Sequence, residues 1–435
     1  CRCSQRPDMI GAPAFTLIGT FVKKREVEVS GGSNHMVSMQ QSPADVAPER
    51  RTDFDAVVIG AGFAGMYMLH RLRDLGMSAR VYEQGDDVGG TWYWNRYPGA
   101  RCDSESVYYV YSFSKELDQE WEWSERYAGQ PEILRYLQHV ADKFDLRRDI
   151  QFNTRVTSAV WDEATKRWQI GTSTGDHVTA KFLITGVGCL SSSNVPKFKG
   201  LETFQGKWYH TGQWPHEGVD FTGQRVGVIG TGATGIQAIP EIAKQAAHLY
   251  VFQRTPNYSI PARNAPLDDE YRAQIKAAYD EIHERSKHSF GGFPFDQPER
   301  SALEVPDNDR EQIYQRYWDK GGFYFLFETF SDLLVNKQSN DTAAGFIRSK
   351  IHEIVKDPEV ADLLSPTDYP FGTKRPPLNT QYFETFNRDN VTLVDVRRAP
   401  IEEITPKGVR TRDAEYELDS IVFATGFDAM TGALV

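Results

Sequence analysis

Short apolar stretches alternate with amphipathic stretches along most of the chain. The apolar stretches are rich in β-branched residues, as buried parallel strands are, and the amphipathic stretches have helical periodicity. The order strand, helix, strand occurs over 54–83 and again over 225–253, which predicts two βαβ units of an α/β fold. The predicted strands are 54–60, 79–83, 225–230 and 249–253, and the predicted helices end at 75 and 246.

The pattern between and after these units predicts more sheet and a helical insertion. Strand-like segments occupy 149–170 and 178–184, and strands are predicted again at 391–396 and 416–425. Charged, helix-forming residues with proline-bounded breaks fill 266–365. The predicted fold class is therefore α/β, with two Rossmann-like dinucleotide-binding domains and a helical insertion.

A glycine-rich turn with the spacing GxGxxG follows the first strand of each unit. Between a strand and a helix, the first glycine permits a tight turn and the second lets the backbone approach a pyrophosphate. The third glycine lets helix and strand pack closely, and the helix N-terminus then faces the phosphates. These glycines are Gly60, Gly62 and Gly65 in the first unit and Gly230, Gly232 and Gly235 in the second.

The residue at the end of the second strand of each unit indicates which nucleotide that unit binds. Glu83, 23 positions after Gly60, can accept hydrogen bonds from ribose hydroxyls, so the first unit is predicted to bind FAD or NAD. The equivalent position in the second unit is Gln253, followed by Arg254. A neutral side chain beside a guanidinium suits a 2′-phosphate, so the second unit is predicted to bind NADPH.

Composition narrows the classes of function. The chain has 435 residues, 40% hydrophobic and 12% aromatic, enough for two or three domains. Its net charge of -11 disfavours nucleic-acid partners, and no apolar run approaches the roughly 18 residues of a membrane span. Four cysteines make no disulfide framework, which favours a reducing compartment such as the cytoplasm, and no metal site is expected.

Two nucleotide sites in one chain indicate hydride transfer from a nicotinamide to a flavin. A disulfide reductase has the same architecture, but it needs a redox-active cysteine pair, and no C-x-x-C occurs here. Oxygen is therefore the expected acceptor of the electrons.

The two ends of the chain have separate interpretations. Residues 1–52 are polar, with basic clusters, and are expected to be a disordered or non-native extension, with Met36 and Met39 as plausible starts. At the other end, the natural protein is expected to continue beyond Val435.

Two long motifs resemble those of a known family. Residues 89–103 read GGTWYWNRYPGARCD, and residues 204–215 read FQGKWYHTGQWP. The first resembles the N-terminal signature of type I Baeyer–Villiger monooxygenases, and the second matches their fingerprint FxGxxxHxxxW. Shorter matches are VFQRTP at 251–256, YPFGTKR at 369–375 and VFATGFD at 422–428. Within the family the resemblance is greatest to the phenylacetone and steroid monooxygenases.

This resemblance implies an activity and a domain plan. Such enzymes use FAD, NADPH and O₂ to insert one oxygen atom beside a ketone carbonyl, through a C4a-peroxyflavin, and form an ester or lactone. By analogy with the steroid and phenylacetone enzymes, an aromatic or bulky cyclic ketone is expected. The implied FAD-binding domain covers 53–188 and returns, truncated, over 376–435, with the NADP-binding domain at 189–375 inserted in it.

The resemblance also implies roles for particular residues. Arg375 would stabilise the reactive anion in a water-poor site, positioned by Asp103. Lys374, Arg254 and Thr255 would contact the NADP phosphate and ribose. The remaining implied positions are Gly90 and Trp92 near the flavin, and Phe204, Gly206, His210 and Trp214 in the fingerprint, which is thought to couple the domains.

Alternative interpretations remain for the site and for the whole chain. The pair of Asp103 and Arg375 could be structural, His210 a buried histidine, and Trp92 and Trp214 core residues. An N- or S-oxygenating flavin monooxygenase has both Rossmann units, but its fingerprint ends in Phe or Tyr where this chain has Trp214. A non-catalytic nucleotide-binding flavoprotein is the alternative from another class.

Overall fold

A six-stranded sheet forms the first half of the fold. The structure is a computed structural model that describes residues 52–429, all within one compact unit. Strands β1, β2, β3 and β6 of this sheet are parallel, and β4 and β5 extend it as an antiparallel meander beyond β6. In the order β3-β2-β1-β6-β5-β4 the strands are Ile150–Gln151, Ala79–Tyr82, Thr52–Ile59, His177–Thr185, Arg167–Thr172 and Val156–Asp162.

A five-stranded parallel sheet forms the second half. Its central strands are β8 and β9 of the second βαβ unit, and two strands from late in the chain join them. In the order β12-β9-β8-β16-β7 the strands are Val391–Asp395, His248–Gln253, Arg225–Ile229, Ser420–Phe423 and Lys207–His210. Two small sheets contain the remaining strands. One pairs β10 (Ile260–Pro261) with β11 (Leu378–Asn379), and the other contains β13 (Ile401–Thr405), β14 (Gly408–Thr411) and β15 (Glu415–Glu417).

Helices cover both sheets and fill the predicted insertion. The apolar faces of α5 and of the insertion helices α7 to α10 join one large core with the second sheet, whereas α1, α4 and part of α6 pack with the first. No helix within 52–429 is long and apolar enough to cross a membrane. The helices are α1 (Phe63–Asp74), α2 (Thr91–Trp94), α3 (Lys115–Glu120), α4 (Gln130–Lys143), α5 (Ala233–Gln245), α6 (Asp269–His288), α7 (Asp307–Lys320), α8 (Tyr324–Phe327), α9 (Lys337–Ile354), α10 (Pro358–Leu364) and α11 (Tyr382–Thr385).

The late strands correct the predicted return to the first domain. The segment 376–435 was expected to return to the FAD-binding domain, but β12 pairs with β9, and β16 inserts between β8 and β7. Both therefore belong to the second sheet, in which β12 is an edge strand and β16 lies between β8 and β7. The strand predicted over 416–425 is also divided, into β15 and β16, at Leu418 and Asp419.

One crossing of the chain joins the two sheets, and a later segment pairs with it. After β6 the chain runs through 186–206 to β7. The segment after β16 bonds to this crossing: Asn194 N donates to Gly426 O and Asp428 N donates to Ser192 O, each at 3.0 Å. The Thr425 hydroxyl donates to Asn194 O at 2.6 Å. The predicted extension 1–52, apart from Thr52, and the predicted continuation past Val435 lie outside the described residues.

Candidate functional site

The first glycine turn has the shape of a phosphate cradle. Gly60 has φ +98°, and a Cβ there would lie 2.6 Å from Gly186 O. A Cβ at Gly65 would overlap Gly60 O, so α1 packs directly on the strand that precedes it. The N-cap of α1 is Gly62, which offers no side-chain hydrogen bond to the free N–H groups of the first turn. These N–H groups fit an external anion.

The second glycine turn repeats this geometry. Gly230 has φ +111°, and its Cβ would lie 2.5 Å from Ala424 O, whereas a Cβ at Gly232 would meet nothing within 4 Å. A Cβ at Gly235 would overlap Gly230 O. Gly232 caps α5 without a side-chain hydrogen bond. By contrast, α3, α6, α9 and α10 have side-chain caps. Helices α4 and α7 also begin without one, so what distinguishes α1 and α5 is the glycine turn that precedes each of them.

Glu83 lies beneath the first turn and is buried. Its Oε2 accepts a hydrogen bond from Ala61 N at 2.7 Å, and its Oε1 accepts one from Gly85 N at 2.8 Å. The carboxylate thus holds the first turn to the end of β2. Each oxygen keeps a second lone pair, so the geometry is compatible with the predicted ribose contact, which stays a prediction.

The residues predicted to hold the NADP phosphate lie on two loops that the structure ties together. The single hydroxyl hydrogen of Tyr369 is shared between two acceptors, Pro256 O at 2.9 Å and Asn257 Oδ1 at 3.0 Å. The Lys374 ammonium lies 4.5 Å from the Tyr369 ring centroid. These contacts bring the 369–375 loop to the loop that carries Arg254 and Thr255.

The side chains on these two loops differ in exposure. Arg254 and Lys374 are exposed, and Thr255 is half-buried. Gln253, in contrast, is buried, with Nε2 donating to Leu363 O at 2.7 Å and Oε1 without a partner among the described residues. The exposed cations and the neutral amide fit an anionic group at this edge.

Asp103 and Arg375 form an ion pair across 272 positions of sequence. Arg375 Nη2 donates to Asp103 Oδ2 at 3.1 Å. The Asp103 side chain is 8% exposed, but that of Arg375 is 69% exposed. The water-poor surroundings expected for the guanidinium are therefore not supplied by the described residues, which bury the acid and leave the cation open. The Phe323 ring centroid lies 5.9 Å from the guanidinium carbon.

Burial dominates the ionisation of Asp103. It raises the pKa of the carboxyl to about 6, against the opposing effects of the Arg375 charge and the Leu378 backbone N–H. Burial also raises the pKa of the neighbouring Cys102 thiol to about 12, so this cysteine remains protonated at neutral pH. Asp103 is thus a carboxyl that titrates close to physiological pH.

Sequence reasoning missed Gln237, which contacts the same group. It lies on α5, and its Nε2 is 3.5 Å from Asp103 Oδ1. Position 237 follows the second glycine turn in the sequence, but its partner is 134 positions away. Only the fold brings these residues together.

His210 lies at the end of β7, beside the crossing between the sheets. It is 1% exposed, and its Nδ1 accepts a hydrogen bond from Gly212 N at 3.0 Å. Burial lowers the pKa of His210, although backbone hydrogen bonds with Asn194 and Gly426 oppose this shift. The imidazole therefore contacts both segments of the crossing in its neutral form. Its predicted role in coupling the domains stays a prediction.

The other fingerprint residues serve packing in this structure. Gly206 leaves room for Asp419 O and for the half-buried Phe204 ring, both of which a Cβ would hit. Trp214 is buried in the core of the second sheet, 5.5 Å from the ring of Tyr209.

Gly90 and Trp92 lie at the first signature, next to the first glycine turn. A Cβ at Gly90 would come within 2.8 Å of Gly62 Cα, so the signature approaches the turn closely. Trp92 is buried, and its Nε1 donates to the Tyr109 hydroxyl at 3.2 Å. A flavin contact for either residue stays a prediction.

Known proteins resemble this chain over most of its length. The model of the flavin-binding monooxygenase-like family matches residues 55–268. A Baeyer–Villiger monooxygenase of Pseudooceanicola batsensis is 50% identical over 386 residues, which cover 88% of this chain and 70% of that protein. Relatives 43 to 46% identical include cyclohexanone 1,2-monooxygenase of Acinetobacter sp, acetone monooxygenase of Gordonia sp., cyclopentanone 1,2-monooxygenase of Comamonas sp. and a phenazine N-monooxygenase of Lysobacter antibioticus.

Solved structures agree with these relatives. Oxidised steroid monooxygenase bound to NADP has a TM-score of 0.86 and 56% identity, and the match covers 88% of this chain and 73% of that one. OTEMO in complex with FAD and NADP has a TM-score of 0.86 and 48% identity, with coverage of 88% and 72%.

The second glycine turn gives a matched pair of variants. Gly230→Ala should lower the free energy of unfolding by on the order of 2 kcal/mol or more, because a Cβ at φ +111° meets Ala424 O. Gly232→Ala should leave unfolding nearly unchanged and weaken NADPH binding, because its Cβ points into open space. Denaturant titration and NADPH titration measure the two effects, and equal destabilisation by both variants would contradict this geometry.

The raised pKa of Asp103 predicts a pH dependence of stability. The folded state binds a proton up to about pH 6, whereas the unfolded carboxyl releases it near 4, so folding loses stability as pH rises through this window. Relative to Asp103→Asn, the wild type should lose on the order of 2 kcal/mol from pH 4 to pH 6.5, then level off. Denaturant unfolding of both proteins from pH 5 to 8 should record the upper part of this loss.

Asp419→Asn is the control for this measurement. Its hydrogen bonds with Arg225 lower the pKa of Asp419, so its contribution is lost only as pH falls below 4. Its difference from wild type should therefore be flat from pH 5 to 8, and a flat difference for Asp103→Asn as well would disprove the buried titration.

Proposed function

The chain belongs to the type I Baeyer–Villiger monooxygenases, within the flavin-binding monooxygenases, and from this premise we propose specific roles for its residues. The reaction of the family is ketone + O₂ + NADPH + H⁺ → ester or lactone + NADP⁺ + H₂O. The chain spans about 70% of the length of the curated relatives. The observation that carries the proposal is the ion pair of buried Asp103 with exposed Arg375.

The N-termini of α1 and α5, each preceded by a glycine turn, are proposed to hold the two cofactors. FAD, when bound, carries electrons from the nicotinamide to oxygen. The first turn, with Gly60, Gly62 and Gly65, would hold the FAD pyrophosphate above Glu83. The second turn, with Gly230, Gly232 and Gly235, would hold that of NADPH. Free N–H groups at α1 and α5 support both assignments.

Arg375 is proposed to stabilise negative charge that develops on oxygen during the reaction. A guanidinium keeps its charge at any working pH and presents several donors in one plane. Asp103 takes up one of these donors and fixes the side chain, and the remaining donors are open because the guanidinium is 69% exposed. The acid also offsets part of the cost of covering the cation when ligands bind.

Arg254, Lys374 and Thr255 are proposed to bind the 2′-phosphate and ribose of NADPH. The contacts of Tyr369 with both loops support this, because they bring the two exposed cations to the same carboxyl end of β9. Gln253 adds no charge there, so a dianionic phosphate is not repelled.

A bulky cyclic or aromatic ketone is the proposed substrate class. The support is the 56% identity with the structure of steroid monooxygenase, against 47 to 48% with those of cyclohexanone monooxygenase. The relatives named for acetone and cyclopentanone are 46% and 43% identical. A panel of acetone, cyclohexanone, phenylacetone and a steroid ketone tests this order by kcat/KM for ester formation.

N-oxygenation of an aromatic heterocycle is the second candidate function. A relative named for phenazine N-oxygenation is 46% identical, as similar as the cyclohexanone enzyme. Phenazine added to the same panel separates the two, since an N-oxide and an ester are distinct products.

Arg375→Ala should separate reduction from oxygenation. NADPH-dependent oxygen uptake should continue, with hydrogen peroxide as the product, and ester should fall at least about a hundredfold because charge stabilisation is lost. Gas chromatography of the ester and a peroxide assay measure both. Arg412→Ala, at an exposed pair with Asp413, is the control. Ester formation by Arg375→Ala at the wild-type rate would refute the assigned role.

Arg254→Ala should change cofactor preference. KM for NADPH should rise about tenfold or more, with KM for NADH nearly constant, because a charge-assisted bond to the 2′-phosphate is lost. Arg388→Ala is the matched control, since Arg388 is exposed just before the amino end of β12, whereas Arg254 follows the carboxyl end of the parallel neighbour β9. An unchanged NADPH/NADH ratio in Arg254→Ala would remove this residue from the phosphate site.

A further inference from the structure

The amide of Gln237 clamps the backbone of the first signature to α5. Its Nε2 donates to Arg101 O at 3.1 Å, and its Oε1 accepts from Arg101 N at 3.4 Å. The Tyr97 hydroxyl donates to the same Oε1 at 2.8 Å. Nε2 also lies 3.5 Å from Asp103 Oδ1. One side chain therefore contacts both the segment 97–103 and the carboxylate that pairs with Arg375.

These partners fix which way the amide points. The Arg101 N–H can only donate and the Arg101 carbonyl can only accept, so the oxygen of Gln237 must face the first and its nitrogen the second. In that orientation the nitrogen is directed to Asp103 as a donor. A glutamate at 237 would turn an acceptor toward both Arg101 O and the Asp103 carboxylate.

Close packing leaves the segment little freedom to move away from this clamp. Gly99 has φ +79°, and a Cβ there would overlap Gln237 O, so the signature backbone lies directly on α5. Gln237 is five residues after Gly232, the N-cap of that helix. Asp103 is thereby held in place relative to α5, the helix that begins at the second glycine turn.

We propose that Gln237 is a positioning residue, which fixes Asp103, and through it the guanidinium of Arg375, relative to α5. The consequence for the product rests on the proposed function: a loosened Asp103 leaves Arg375 misplaced, so electrons delivered to oxygen leave as hydrogen peroxide instead of entering the ester.

Asp103 gives this role a pH signature. The titratable groups around it are Arg375, Tyr97, Cys102 and Tyr127. Burial raises the pKa values of Tyr97 and Tyr127 far above neutrality, and that of Cys102 to about 12, so Asp103 alone titrates between pH 5 and 9. Loss of the Gln237 donor should raise the pKa of Asp103 further.

Gln237→Met and Gln237→Glu in the FAD-loaded protein test the proposal. Hydrogen–deuterium exchange of the peptide 97–103, measured without substrate, should become about fivefold faster or more in both variants. The ratio of ester to peroxide should fall, and the acid limb of its pH profile should move upward by about half a pH unit in Gln237→Met and further in Gln237→Glu. Tyr97→Phe, which keeps the clamp but removes one contact, should change each readout less.

Gln245→Met is the matched control on the same helix. Gln245 Oε1 accepts from Phe221 N within the second half of the fold, so its loss should leave the exchange of 97–103 and the product ratio unchanged. Unchanged exchange in Gln237→Met, an unmoved pH limb, or equal effects from Gln245→Met would each overturn the proposal. If the wild type forms no ester, the proposed function fails, and the exchange measurement still decides whether Gln237 holds the signature.

Discussion

A carboxylate is buried here with one charged partner that remains in solvent. Moving Asp103 out of water costs free energy, and the open guanidinium of Arg375 offsets only part of it, so the pKa of the acid stays raised. The packing between the two halves of the fold has to keep the Asp103 carboxylate buried, since the local contacts of 97–103 would not do so. The pair is therefore a direct consequence of how the signature lies on α5.

The same contrast between satisfied and unsatisfied groups marks the nucleotide turns. Side chains cap the N-termini of α3, α6, α9 and α10, whereas α1 and α5 follow GxGxxG turns and have no side-chain cap. Each open N-terminus lies at the carboxyl end of a parallel sheet, where ligands bind in α/β folds. Glu83 and Gln253 then differ in what they do under these turns: the acid bonds to two backbone N–H groups, and the amide bonds to the helical insertion.

Local geometry explains which features could be predicted from the sequence. Both glycine turns, the strands beside them and the helical stretch of 266–365 depend on short-range periodicity and on the conformational freedom of glycine, so they were predictable. The place of β12 and β16 in the second sheet was not, because strand order depends on which edge is left open. The contact of Gln237 with Asp103 and the exposed position of Arg375 could not be predicted either. Asp103 lies more than 130 positions from both residues, so the local sequence carries no signal of them.

The paired crossing between the sheets sets the kind of motion that the two halves can make. Within 52–429 the chain passes from one sheet to the other once. At 192–194 this crossing is joined to 425–428 by backbone and hydroxyl hydrogen bonds, and the His210 ring contacts both segments. Two segments joined in this way can bend together, but sliding past each other would break the hydrogen bonds between them. A relative movement of the two halves would therefore be a bend about this paired segment, and not a sliding of one sheet past the other.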